Sequence, residues 1–301
     1  MGGGTLHQLL AAGANAPPLP GVDGLADAAV ARHGSAIVAV LLYGSCLRDR
    51  IVEGRMLDFY LICDGYRSVH RNPLMRLANW LVPPNVYYIE GDFDGIRVRA
   101  KYALVSLDQF ERRNGPGALL PYFWGRFAQP TAILRARDEA TRERLLASLA
   151  RAARTLLDET RPLVPAGDPD ALWTRALGES YATELRAESP DRARELFEAD
   201  AGRYRAVAAA LDAENEGTGG ALRSPRAAAR RWRLRRLLGK LMSVVRLLKA
   251  STTFEGGADY LAWKIERHSG VPIELTPWQR RHPVLASVTL FARLRRRRAF
   301  R

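Results

Sequence analysis

Ala36-Ile37-Val38-Ala39-Val40-Leu41-Leu42-Tyr43-Gly44-Ser45 is the stretch whose reading decides the fold. A short, β-branched, apolar run that stops at a glycine is a buried strand. A second such run, Met56-Leu57-Asp58-Phe59-Tyr60-Leu61-Ile62-Cys63, carries one carboxylate inside it and stops at Asp64-Gly65. Gly44-Ser45 is a plain turn, or it opens a helix, whose N-terminus carries free N–H groups and positive potential. An unpaired carboxylate inside a strand is costly, so Asp58 is either satisfied structurally or kept for chemistry.

Outward from these strands, residues 1–20 are rich in Gly, Ala and Pro and read as a flexible arm with at most a short helix over Leu6–Ala12. Asp23–His33 reads as a helix with Asp23 as N-cap, and Pro73–Leu81 as another, broken by Pro83-Pro84. A hairpin follows, Val86–Glu90 turning through Gly91–Gly95 into Ile96–Ser106. From Ala136 the pattern turns helical, over Glu139–Glu159, Ala171–Ala187, Pro190–Asp212, Ser224–Lys249 and Phe254–His268, with a last helix near Val284–Arg298. The expected class is α+β, with a mixed sheet-and-helix domain over 21–135 and a helical domain over 136–301.

The 301 residues are 47% apolar, which excludes wholesale disorder. Lys and Arg number 46 against 32 Asp and Glu, a net charge of +14 that calls for a polyanionic partner: nucleic acid, nucleotide phosphate or anionic lipid. Cys46 and Cys63 are too few for a disulfide framework or a zinc site, and suit a reducing compartment. No signal peptide is visible and no apolar run approaches the roughly 20 residues of a membrane span, so any membrane contact is peripheral. His7 and His33 fall in helical or terminal contexts, and His70, His268 and His282 share no ligand spacing.

Strand, Gly44-Ser45 and Asp58 in a following strand resemble the polymerase-β-like nucleotidyltransferases, whose carboxylate holds magnesium against nucleotide phosphates. That superfamily has Asp-x-Asp or Asp-x-Glu where this chain has Asp58-Phe59-Tyr60. Four stretches are similar to one branch, the mitochondrial-type, peripheral phosphatidate cytidylyltransferases. Tyr43-Gly44-Ser45 resembles that family's Tyr-Gly-Ser-Gly, with Cys46 in place of the last Gly. Asp58-Phe59-Tyr60-Leu61-Ile62 resembles its Asp-Phe-Ile-Phe-type strand, which also lacks the second acid. Val86-Tyr87-Tyr88 and Lys101-Tyr102-Ala103-Leu104-Val105-Ser106 resemble its Val-Tyr-Phe and Lys-Tyr-Gly-Val-Val-Ser. Tyr122-Phe123-Trp124-Gly125-Arg126-Phe127-Ala128-Gln129-Pro130 resembles its Leu-Tyr-Ile-Ala-Gly-Arg-Leu-Gln-Lys-Pro. The likeness covers about residues 40–135; the family's Gly-Ala-Gly is replaced by Pro83-Pro84-Asn85.

The resemblance implies transfer of the cytidylyl group of CTP to phosphatidate, with Mg2+ as cofactor. It implies Asp58 and Lys101 as catalytic residues and Tyr43, Gly44, Ser45 and Arg126 as nucleotide contacts. Asp58 is the expected metal ligand, with Glu90 as the nearest candidate for a second. Read as residues alone, Lys101 is equally a solvated strand lysine, and Arg126 a surface ion pair. The alternatives are a nucleotidyltransferase acting on a hydroxyl of RNA, protein or a small molecule, and a non-catalytic nucleic-acid-binding protein.

Arg223–Lys249 holds ten Lys/Arg and no acid, with leucines and valines at helical spacing that read as core beneath an anion-facing surface. Residues 284–301 combine an apolar helical face, including Phe291 and Leu294, with Arg295, Arg296, Arg297 and Arg298. That is the pattern of a helix lying in an anionic membrane interface; its alternative is a last helix packed on the domain. The expected location is the cytoplasmic face of a bacterial inner membrane, or the matrix side of a mitochondrial one.

Overall fold

The computed structural model describes residues 5–15, 17, 19–93, 95–185, 191–215, 224–253 and 276–278. Helix α1 (Leu6–Gly13) opens with a capping box: Thr5 Oγ1 accepts from the Gln8 amide, and the Thr5 amide donates to Gln8 Oε1. In α2 (Val22–Ala31) the cap is Gly21, in left-handed conformation, so Asp23 lies in the first turn and not at the expected N-cap. β1 (Ile37–Tyr43) passes through Gly44 into a short α3 (Ser45–Asp49), and β2 (Met56–Cys63) returns beside it. After α4 (Tyr66–Val69), Asn72 caps α5 (Pro73–Leu81), whose proline sits where no N–H is needed. The hairpin is β3 (Asn85–Phe93) and β4 (Ile96–Ser106). Next come α6 (Leu107–Arg113), α7 (Trp124–Phe127) and β5 (Thr131–Ala136). The helical half consists of α8 (Glu139–Thr160), α9 (Pro169–Tyr181), α10 (Arg192–Glu198), α11 (Ala201–Asn215) and α12 (Pro225–Thr253).

The expected α+β class holds. One mixed sheet runs in the order β3-β4-β2-β1-β5, with β2 and β4 parallel and the other neighbours antiparallel. Strand β5 was not anticipated, since Arg135 interrupts its short apolar run; pairing with β1 supplies what propensity does not. The single helix expected over Pro190–Asp212 is broken near Ala199-Asp200, and that over Ala171–Ala187 stops at Tyr181. The helices expected over Phe254–His268 and Val284–Arg298 lie outside the described residues. So do Phe291, Leu294 and Arg295 to Arg298. Among the described residues no helix is long and apolar enough to cross a membrane.

Each sheet face buries its own core, as the two-residue period of a strand requires. Leu42, Phe59, Leu61 and Tyr102 pack under α2 and α3 on one side. On the other, Leu41, Tyr60, Ile62 and Val105 join Trp124, Trp173 and Trp232 from the helices. Leu6, Leu10 and Ala14 are buried in this second core, and the Ala14 carbonyl accepts from the Ile133 amide. The short helix expected over Leu6–Ala12 is therefore present as α1, but it is packed into the core and not carried on a loose arm. The same core runs across residues 135 and 136: Leu145, Leu149 and Leu156 of α8 pack with Leu41 and Tyr60 of the sheet.

Candidate functional site

One row of paired residues crosses the sheet: Tyr43 of β1 faces Asp58 of β2, Asp58 faces Lys101 of β4, and Lys101 faces Tyr88 of β3. Lateral neighbours point to the same side, so this row lies on the face that carries Tyr60 and the helical core. Lys101 Nζ is 2.9 Å from Asp58 Oδ1, both side chains being partly shielded. That oxygen is buried and makes no hydrogen bond, so its contact with the ammonium is charge without hydrogen-bond geometry.

Gly44 makes the approach to Asp58 possible. Its φ of +87° is a conformation that residues with side chains rarely adopt. A Cβ there would stand 2.7 Å from Asp58 Oδ2. The backbone at the mouth of α3 therefore lies directly against the carboxylate, with Ser45 as the first helical residue. Cys46, next along, faces the opposite core. Burial and then the Asp58 charge push its thiol up to about 11, and burial raises Cys63 to about 12, so both are packing residues.

Arg126 comes to the row from α7. Its guanidinium carbon is 5.6 Å from the Tyr43 ring centre and 4.4 Å from that of Tyr122. It donates to the Tyr60 hydroxyl at 3.2 Å and pairs with Glu184 at 3.0 Å. The surface ion pair considered from sequence is thus a largely buried clamp of aromatic and acidic groups. Tyr60 itself, two residues after Asp58, is buried with its ring centre 4.9 Å from that of Phe127.

Glu90 does not join Asp58. It lies two strands away, opposite Arg99, and accepts from the Tyr88 hydroxyl at 2.6 Å and from Arg97 at 2.6 Å. Burial works against ionisation there, but the bonds from Tyr88 and Arg97 hold its carboxyl below the usual range. With its oxygens occupied by these partners, Glu90 is a structural acid and not the second metal ligand. Among the described residues no group of three or more His, Cys, Asp or Glu stands ready to hold a metal. Asp58 still fits magnesium, which is commonly held by one carboxylate plus substrate phosphates: its Oδ1 makes no hydrogen bond, and the ion would take the place of the Lys101 ammonium that faces it at 2.9 Å.

Two cations that sequence reasoning did not single out arrive from α12. Arg246 places its guanidinium 3.7 Å from the Tyr122 ring centre, on the ring that Arg126 also meets, and donates to the Pro83 carbonyl at 3.3 Å. Lys249 donates to Asn79 Oδ1 and to the Val82 carbonyl, each at 2.6 Å. The basic composition of Arg223–Lys249 was the signal; which of its charges turn inward was not encoded locally.

The rest of that segment corrects its sequence reading. Arg235 is fully buried and pairs with Glu159 at 2.9 Å, Arg231 pairs with Glu159 at 3.3 Å, and Arg236 pairs with Glu179. The charges lack acids in their own helix but find them on α8 and α9. Leu234, Leu237, Leu241 and Val244, read as core, are exposed instead. No protein-family model and no curated protein matches this chain.

Proposed function

We propose that the protein transfers the cytidylyl group of CTP to phosphatidate, giving CDP-diacylglycerol and pyrophosphate. The observation that carries this reading is the Tyr43–Asp58–Lys101 row, with the Gly44-Ser45 backbone laid against its carboxylate. An oxygen of the phosphatidate monoester attacks the α-phosphorus of CTP. The α–β anhydride bond breaks, and its electron pair leaves on pyrophosphate. The nucleophile is already an anion, so no strong general base is needed. Tyr60 in place of a second acid fits that requirement.

Lys101, now paired with Asp58, supplies positive charge to the triphosphate, and Arg126 fixes the position of Tyr43 and Tyr122 at the end of the row. Asp58 would hold magnesium, which when bound adds charge neutralisation at the phosphates. The work left to the chain is positioning and electrostatic stabilisation. Its place is peripheral, on the cytoplasmic face of the inner membrane or, in a mitochondrion, the matrix side. Incubating the protein with CTP labelled at the α-phosphate, magnesium and phosphatidate vesicles should move label into the organic phase as CDP-diacylglycerol. Label that stays aqueous, or that passes only to a hydroxyl acceptor, would overturn the proposal.

A further inference from the structure

Two helices of this protein are built inside out. At about 3.6 residues per turn, Leu74, Leu77, Trp80 and Leu81 occupy one arc of α5. All four are between 51% and 73% exposed. The one fully buried side chain of the same helix is polar and lies on the opposite side. Asn79 is buried, 2.7 Å from the His70 ring and 2.6 Å from Lys249. Gln109 holds the Trp80 carbonyl.

In α12 the inversion repeats. Leu234, Leu237, Leu241 and Val244 share one arc and are 42% to 68% exposed. Trp232, Arg235, Gly239 and Arg246 face the protein. Arg235 lies 4.8 Å from the Trp232 ring centre, and a Cβ on Gly239 would stand 2.6 Å from the Thr183 carbonyl. The two helices meet where Lys249 reaches the last turn of α5. Apolar side chains concentrated on outward faces mark a surface that another apolar phase covers.

The charge beside these leucines identifies the phase. Arg226, Arg230, Arg233 and Lys240 are exposed along α12 near the same arc, and residues 224–253 contain no acid. Two copies of this face would bring like charges together, which disfavours self-association. A nucleic acid would meet the cations but leave the leucines in water. An anionic bilayer satisfies both, taking the apolar arc below its headgroups and the cations among its phosphates.

We propose that the outer faces of α5 and α12 are the protein's docking surface for anionic lipid. This deepens the reading of phosphatidate as acceptor. Val244 faces outward two residues from Arg246 at Tyr122, so one helix links the lipid face to the candidate site.

The experiment is co-sedimentation of the full chain with vesicles of phosphatidylcholine alone or with phosphatidylglycerol added. Wild type should bind the mixed vesicles and release on raising salt, because surface attraction is screened within roughly 8–10 Å. Leu77→Glu with Trp80→Glu, and separately Leu237→Glu with Leu241→Glu, should each weaken binding at least tenfold. Replacing exposed side chains should leave circular dichroism and Tm unchanged. With brominated acyl chains, wild-type fluorescence should be quenched more than that of Trp80→Phe.

The surface assignment is overturned if both pairs bind as wild type, or if wild type ignores anionic vesicles. It is also overturned if sedimentation without lipid shows a dimer that the same substitutions dissolve, or if RNA binding alone is lost. Turnover of soluble dihexanoyl phosphatidate separates this from the reaction itself. The docking variants should keep that activity. Intact vesicle binding with no such turnover in wild type would sink the transferase reading and leave the surface standing.

Discussion

Asp58 carries most of the meaning at the scale of single residues. Its carboxylate is set between Lys101 and the Gly44 backbone, so a neutral side chain of the same shape isolates the role of its charge. Asp58→Asn should keep native circular dichroism while CTP:phosphatidate turnover falls by about two or more orders of magnitude, the size of a lost electrostatic contact in a transition state. Near-wild-type turnover in the folded variant would remove Asp58 from the chemistry. Lys249 gives a second test. Burial, reinforced by the Arg246 charge, lowers its pKa to about 8. A lysine that titrates lower in the folded chain than in the unfolded one opposes folding while charged. That opposition is complete below about pH 8 and fades as pH rises into the ordinary lysine range, where the native chain binds fewer protons than the unfolded one. Lys249→Met removes this term. The Tm difference, variant minus wild type, should therefore fall as pH rises from about 8 to 10.5 in calorimetry; a constant difference would show that Lys249 titrates normally.

Among elements, α12 is the instructive one. Its periodicity is plainly helical, and the sequence locates its start to within a residue. Its orientation reverses the usual rule because Glu159 and Glu179 wait in the helical layer, where Arg235, Arg231 and Arg236 satisfy them. Leaving a buried acid without its cation is worse than leaving leucines in water. Arg235→Ala should thus lower the unfolding free energy by about 3–5 kcal/mol, as for a buried pair that loses one partner. Urea titration measures this, and adding Glu159→Gln should recover part of the loss, because partly exposed Arg231 at 3.3 Å neutralises that buried carboxylate incompletely. A change below about 1 kcal/mol, the scale of an exposed pair, would mean that Arg235 is solvated. Helix α5 shows the same reversal on nine residues, with a buried Asn79 as its inward anchor.

For the molecule as a whole, the question is whether the sheet and the helices unfold together. Tyr60 and Ile62 of the sheet share one core with Trp124, Trp173 and Trp232, and α1 is buried in it too. The tryptophans therefore report on both halves at once. Denaturation followed by tryptophan fluorescence and by far-ultraviolet circular dichroism should give coincident midpoints, the mark of a cooperative unit. Two separated transitions would restore a boundary near residue 135. Deleting residues 1–15 should lower the midpoint of that transition, because Leu6 and Leu10 would leave a void in the same core.

What the sequence determined by itself was everything set by short-range chemistry. β-Branched runs ending at glycine place β1 and β2, Pro73 and the Pro83-Pro84 stop delimit α5, and Gly91–Gly95 marks the hairpin. Asp58, Lys101 and the Gly44-Ser45 mouth were legible because a carboxylate and a lysine in apolar strands break the pattern around them. Tertiary structure alone decided the partners. β5 is a strand because β1 offers an edge, Glu90 is removed from Asp58 because Arg97 and Arg99 face it, and Arg246 reaches Tyr122 from 124 positions away. The inside-out helices belong to this second class. Which face of an amphipathic helix turns inward depends on what awaits it, and the buried glutamates that decide it lie on other helices.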